Sequence, residues 1–222
     1  MEFDLIEETL RYAGVKGTPD EALRSAARKC QEELTAALEP KWVWRSFSLS
    51  PAPDGIAIEG AELLLPGAMA KRMLGESTHA VFLVCTLGRR FDALMRAAQI
   101  RDMTKALLLD ACGSAYVEQG CDAAERELSG RFPGKFLTDR FSPGYGDLPL
   151  ALQPRILAVL DAERRLGVTV TDSLLMLPAK TVTAVIGLAD TPQPARVRGC
   201  AYCMLRDECE YRKGGTSCEC RE

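Results

Sequence analysis

Apolar and polar positions follow two different periods along this 222-residue chain, and the switches between them mark its elements. Leu23, Ala26, Ala27, Cys30, Leu34 and Leu38 recur every three or four residues, the spacing of one helix face. Helices are predicted over residues 2–14 and 19–38, the second opening at Thr18-Pro19 with Asp20 in its first turn. From Lys41 the period changes. Trp42, Trp44, Phe47 and Leu49 predict a strand, and residues 56–58 and 61–65 a second and third, with Pro51, Pro53, Asp54 and Gly55 as the intervening turn. The Trp pair reads as core or interface packing ahead of a ligand pocket. Residues 66–74 make a short helix with mixed faces. Residues 79–88 form a continuous apolar run ending in glycine, a buried strand that feeds a helix over 89–100.

Residues 102–131 predict one long helix. Its middle, Asp110-Ala-Cys-Gly-Ser-Ala115, is small-residued. A helical glycine costs about 1 kcal/mol against alanine, so close packing on another element or a ligand is expected to compensate. Residues 148–167 predict a further helix carrying Leu152, Ile156, Val159, Leu160 and Glu163. Residues 168–176 read as extended, with Thr169, Thr171 and Ser173 on alternate positions. Residues 178–180 turn, and 181–188 form a β-branched strand. That hairpin would bring Met176, Pro178 and Lys180 beside Tyr145, with Met176 in the core and Lys180 a solvated charge unless a site claims it. Residues 190–198 are a linker.

Composition narrows the function classes. Apolar content of 47% and a formal charge of −3 describe an ordinary globular protein. The absence of a basic excess argues against nucleic acid as a partner. The acidic start is no signal peptide and no apolar run reaches membrane-spanning length, so a cytoplasmic location is expected. His79 is the only histidine, which argues against a triad or a histidine–metal site. Of nine cysteines, Cys30, Cys85, Cys112 and Cys121 sit in apolar helix- or strand-like contexts and read as core.

The other five crowd the end: Cys200, Cys203, Cys209, Cys218 and Cys220. Thiolates at these spacings can converge on zinc or an iron–sulfur cluster, with one cysteine left over. A tail of free thiols is the alternative.

The densest chemistry lies in Arg140-Phe-Ser-Pro-Gly-Tyr-Gly-Asp-Leu-Pro149. Two prolines and two glycines exclude regular helix or central strand. Arg140 brings a planar donor fork suited to carboxylate or phosphate. Gly144 exposes backbone, and Tyr145 offers a flat face with a polar tip. Together they suit a small zwitterionic or nucleoside-like ligand; a plain connection is the other reading. Ser114 and Glu118 share a face of the long helix. Glu118 reads either as an acceptor for a ligand ammonium or ribose hydroxyl, or as a solvated or salt-bridged carboxylate. The Thr-x-Gly junction at residues 86–88 would aim backbone N–H groups at an anion, a weak motif by itself.

Arg140-x-x-Pro-Gly-Tyr145, followed by Ser173-x-x-Met176-x-Pro178-x-x-Thr181-Val182, resembles the activation domain of cobalamin-dependent methionine synthase. The resemblance covers roughly residues 80–190 and is nearest to the free-standing activation-domain-like proteins. It implies that Arg140, Ser142, Gly144 and Tyr145, with Glu118 and Ser114 on the long helix, bind S-adenosylmethionine. Arg140 would clamp the methionine carboxylate. The sequence departs from the synthase pattern at Gly146-Asp147-Leu148-Pro149, where that pattern reads Pro-Ala-Cys-Pro. It departs again where Val185 and Ile186 replace an expected tyrosine.

The fold implied is α+β, helices around a twisted, mainly antiparallel sheet. Residues 1–190 would form the domain, with a helical part to about residue 40, and 191–222 a linker and Cys-rich tail. The function implied is a stand-alone reactivation protein. It would bind S-adenosylmethionine and support reductive methylation of cob(II)alamin in a partner corrinoid methyltransferase, with a reductase, flavodoxin or ferredoxin as electron donor. It would be a component of that activity more than an independent catalyst. The alternatives are a non-catalytic corrinoid-protein binding module and an electron-transfer adaptor working through the cysteine tail.

Overall fold

The structure is a computed structural model and describes residues 4–193, 197, 207 and 210–213. It opens with α1 (Leu5–Tyr12) and α2 (Glu21–Ala37). Each is capped by an aspartate: Asp4 accepts from Ile6 N and Glu7 N, and Asp20 from Leu23 N at 2.7 Å. Asp20 is thus the cap itself, two positions after the Thr18 that Thr18-Pro19 suggested.

A meander follows: β1 (Lys41–Ala52), β2 (Gly55–Ile58) and β3 (Leu63–Pro66). Pro51 does not begin the turn. It pairs with Ile56 inside β1, and only Pro53 and Asp54 turn the chain. Pairing with the next long strand stops at Ser48, so Pro51 lies where β1 has one neighbour and its missing N–H is tolerated. Then come α3 (Gly67–Leu74), β4 (Ser77–Thr86), α4 (Arg89–Arg101) and α5 (Met103–Arg131). Strand β8 (Thr181–Ala189) completes the centre of the sheet. Its outer edge carries β5 (Phe136–Leu137), a strand too short to be legible from its pattern. The order is β3-β2-β1-β4-β8-β5, and every pairing is antiparallel.

Both faces of this sheet are covered, which is why β4 is apolar from Ala80 to Cys85. Ala80, Phe82 and Val84 face one core with Val43, Phe47 and Val185. Val81 and Leu83 face Ala184, Ile186, Leu128 and Ala124, and Cys85 joins Phe91, Leu109 and Cys112. The expected four core cysteines are all buried and free.

The small residues of α5 bring it close to its neighbours. A Cβ on Gly113 would lie 2.4 Å from the Phe91 ring, and one on Gly120 would lie 2.8 Å from Cys85 Sγ. The compensation expected for a helical glycine is therefore packing.

The helix predicted over 148–167 is broken. A 3-10 turn (Leu150–Leu152) leads into α6 (Gln153–Val159), and α7 (Ala162–Leu166) starts after Asp161, which adopts a left-handed φ of 53°. The kink lets Leu160 and Ala162 both reach the core. Residues 168–176 are not one extended run. β6 (Thr169–Val170) and β7 (Met176–Leu177) pair as a separate ribbon, joined by a turn in which Thr171 Oγ1 accepts from Leu175 N. A short helix, α8 (Glu210–Lys213), lies beyond the linker. No helix among the described residues is long and apolar enough to cross a membrane. The architecture is the expected α+β arrangement, with helices packed on a mainly antiparallel sheet.

Candidate functional site along helix α5 and the outer edge of β8

The Arg140 loop is grafted onto β8. Phe141 exchanges both backbone hydrogen bonds with Val185, at 3.1 and 2.7 Å, and its ring is buried. Ser142 Oγ then donates to Thr183 O at 2.6 Å. Past this point the chain turns on itself. Tyr145 N donates to Ser142 O, Leu148 N to Tyr145 O, and Gly144 N to Leu148 O. Gly144 (φ 96°) and Gly146 (φ 54°) supply the left-handed backbone that this turn needs. Tyr145 stands half exposed at the tip.

Arg140 points away from the tip, onto α5. One terminal nitrogen donates to Asp122 and Glu125 at 2.7 and 2.8 Å, and the other to Glu118 at 2.7 Å. The side chain is only 10% exposed. Burial alone would lower its pKa. The charges of Glu125, Glu118 and Asp122 outweigh that and hold it above the ordinary arginine value. The fork expected to clamp a ligand carboxylate serves three carboxylates of α5 in this structure.

Lys180, expected as a solvated charge, is mostly buried. Its ammonium lies 2.8 Å from Ser114 Oγ and 3.0 Å from Asp110, with Phe91 beneath it. Asp110, Ser114, Glu118, Asp122 and Glu125 are spaced by three or four residues, so they share one face of α5. Among the described residues that stripe carries four carboxylates, with Lys180 on Asp110 and Arg140 on the other three. Tyr12 of α1 joins it: burial first, then the charge of Glu118, raise its hydroxyl pKa.

The six expected ligand residues are therefore partly assembled. Arg140 touches Glu118 directly, and Ser142 anchors the loop to β8. Ser114 and Glu118, one turn apart, hold different cations. Gly144 and Tyr145 form the tip. The Thr-x-Gly junction does not offer its glycine to an anion, because Thr86 Oγ1 accepts from Gly88 N at 3.1 Å while bonding Thr181 Oγ1. Asp122 and Glu125 were missed, and the acidic repeat at 118, 122 and 125 was the available signal for a cation. Lys180, read as solvated unless a site claimed it, is claimed by Asp110 and Ser114.

Among the described residues no group of three or more His, Cys, Asp or Glu is placed to hold a metal ion. Cys200, Cys203, Cys209, Cys218 and Cys220 lie outside the described residues.

No protein-family model matches the chain, and no curated protein matches it in sequence. Its structure is similar to the crystal structure of the MetH reactivation domain bound to AdoHcy. The TM-score is 0.62 at 16% identity, covering 96% of this chain and 83% of that one. The fold class is thus that of a methionine synthase reactivation domain. The resemblance drawn from the loop and hairpin motifs holds at the level of fold across nearly the whole chain.

Proposed function

We propose that this chain binds S-adenosylmethionine beside the α5 stripe and the Arg140 loop, and serves as a reactivation component for a separate cobalamin-dependent methyltransferase. The observation that carries this is the likeness, over 96% of the chain, to a reactivation domain solved with AdoHcy. The chemistry of the stripe supports it. S-adenosylmethionine carries a sulfonium and an ammonium, and a helix face lined with carboxylates favours such a ligand. Glu118, held in place by Arg140, would meet the ammonium. Ser142 spends its proton on a backbone carbonyl, which leaves its oxygen as an acceptor, while Ser114 accepts from Lys180 and keeps one lone pair for a ligand. Gly144 admits the ligand and Tyr145 packs on it.

In this reading the sulfonium methyl passes to the partner's corrinoid as the carbon–sulfur bond breaks, and AdoHcy leaves. One electron comes from an external donor of reductase, flavodoxin or ferredoxin type. The chain's part is to orient the ligand, with no general acid or base required. The tail cysteines enter as thiolates for zinc or an iron–sulfur cluster, which metal analysis of anaerobically purified protein tests.

Calorimetric titration with S-adenosylmethionine, and with S-adenosylhomocysteine alongside, is the direct test. Saturable binding is expected, and Tyr145→Ala should weaken it about tenfold, about 1.4 kcal/mol, at unchanged stability. Glu118→Gln should weaken both ligands, since each carries the ammonium that Glu118 would meet. No binding by the wild-type protein removes the proposal. One observation favours a second reading, a corrinoid-protein binding module that does without S-adenosylmethionine: the Arg140 fork is already taken by three carboxylates. The same titration separates the two.

A further inference from the structure

The loop tip is tied at a second point, far from β8. Helix α3 begins at Gly67 behind Pro66, which has no side-chain acceptor to cap it. The free N–H groups of its first turn need partners. Asp147 supplies them from the loop: Oδ2 accepts from Ala68 N at 2.5 Å and Oδ1 from Met69 N at 2.9 Å. These bonds span 79 and 78 positions of sequence.

Two glycines make the approach possible. A Cβ on Gly67 would lie 2.6 Å from the Asp147 carboxyl carbon, and one on Gly146 would lie 2.8 Å from Met69 Cε. Gly67 (φ 95°) and Gly146 (φ 54°) also hold left-handed backbone. Helix α3 is a firm anchor, since Ala70, Met73 and Leu74 are buried in the core beneath the loop. The tip from Pro143 to Gly146 is thereby suspended between two fixed points, Ser142 on β8 and Asp147 on α3.

We infer that Asp147 is a positioning residue, a clasp to α3 that sets the Gly144–Tyr145 tip in its ligand-ready shape before any ligand arrives. A loop ordered in advance spares the complex the entropy of ordering it, and so strengthens binding without touching the ligand. The effect on binding rests on the function proposed above; the clasp itself does not. Asp147 and Gly146 lie where the loop departs from the synthase pattern, and the clasp gives that departure a purpose.

Hydrogen exchange and titration of the wild-type chain, Asp147→Ala and Asp147→Asn together decide the matter. In Asp147→Ala, exchange should quicken at least tenfold at Ala68, Met69 and residues 144–148, with β4 and β8 unchanged. Affinity for S-adenosylmethionine should fall about tenfold. Asp147→Asn keeps one acceptor oxygen and should recover part of both effects, which a general loss of stability would not do. Unchanged exchange at residues 144–148 in Asp147→Ala overturns the clasp. So does accelerated exchange with unchanged affinity, which would show that the tip needs no presetting. If the wild-type chain binds no S-adenosylmethionine, the ligand reading fails by itself and the positioning role fails with it. The exchange data then still report whether the tip is tied.

Discussion

Arg140 and Lys180 are two cations laid on one face of one helix, and they are held in different ways. Arg140 is 10% exposed and meets three carboxylates that are themselves 24–33% exposed. Lys180 is 15% exposed but meets one carboxylate, Asp110, that is 54% exposed, and the hydroxyl of Ser114. The difference follows from the groups. A guanidinium is a planar fork with five donors and can bridge several carboxylates. An ammonium is a point charge on an apolar stem, and the Lys180 stem packs where Gly113 leaves room for it, with Phe91 alongside. Equal burial of a cation therefore does not mean equal importance. What decides is how many partners lose their counter-charge when it goes.

The largest expected effect tests that rule. Arg140→Ala should cost about 3–5 kcal/mol in urea unfolding, because it leaves three clustered carboxylates without their partner. The variant is for that reason a poor probe of ligand binding, and Tyr145→Ala is the better one. A loss below about 1 kcal/mol would break the comparison at its stronger end. Arg140→Lys keeps the charge and forfeits the fork, so it should fall between. Lys180→Ala should cost about 1–2 kcal/mol, from one charged hydrogen bond to an exposed partner and the lost stem packing. If it costs more than Arg140→Ala, counting partners is the wrong rule.

The smallest effect comes from a third charge on α5. Exposed Glu127 accepts from both indole N–H groups, Trp42 at 2.8 Å and Trp44 at 2.9 Å. The Trp44 and Trp42 hydrogen bonds hold its pKa below the ordinary glutamate value. The sign follows directly. The folded state favours the carboxylate, so this contribution is complete above the ordinary glutamate range and is lost as pH falls through the lower folded value. The stability gap between wild type and Glu127→Gln, followed by tryptophan fluorescence in urea, should close in that acidic window. A gap independent of pH would show that the indoles do not prefer the charged form.

Much of this was legible beforehand, for local reasons. Two N-terminal helices showed in their apolar spacing, though their caps, Asp4 and Asp20, lie inside the predicted spans. The apolar run of β4 announced burial, and the crowded glycines of α5 announced close packing. The loop at 140–149 stood out by its backbone constraints. Its partners did not. Arg140's carboxylates are 15 to 22 positions away, and the N–H donors to Asp147 lie 78 and 79 away. The break after α6 was hidden because Asp161 is no glycine and its left-handed φ is set by burial on both sides.

By itself, then, the sequence determined which long stretches are helical, which strand is buried and which loop is shaped, since those follow from periodicity and backbone freedom within a few residues. Only the tertiary structure decided where each charge is spent. A charge is satisfied by whatever the fold brings within about 3 Å, and no local pattern records which residues those will be.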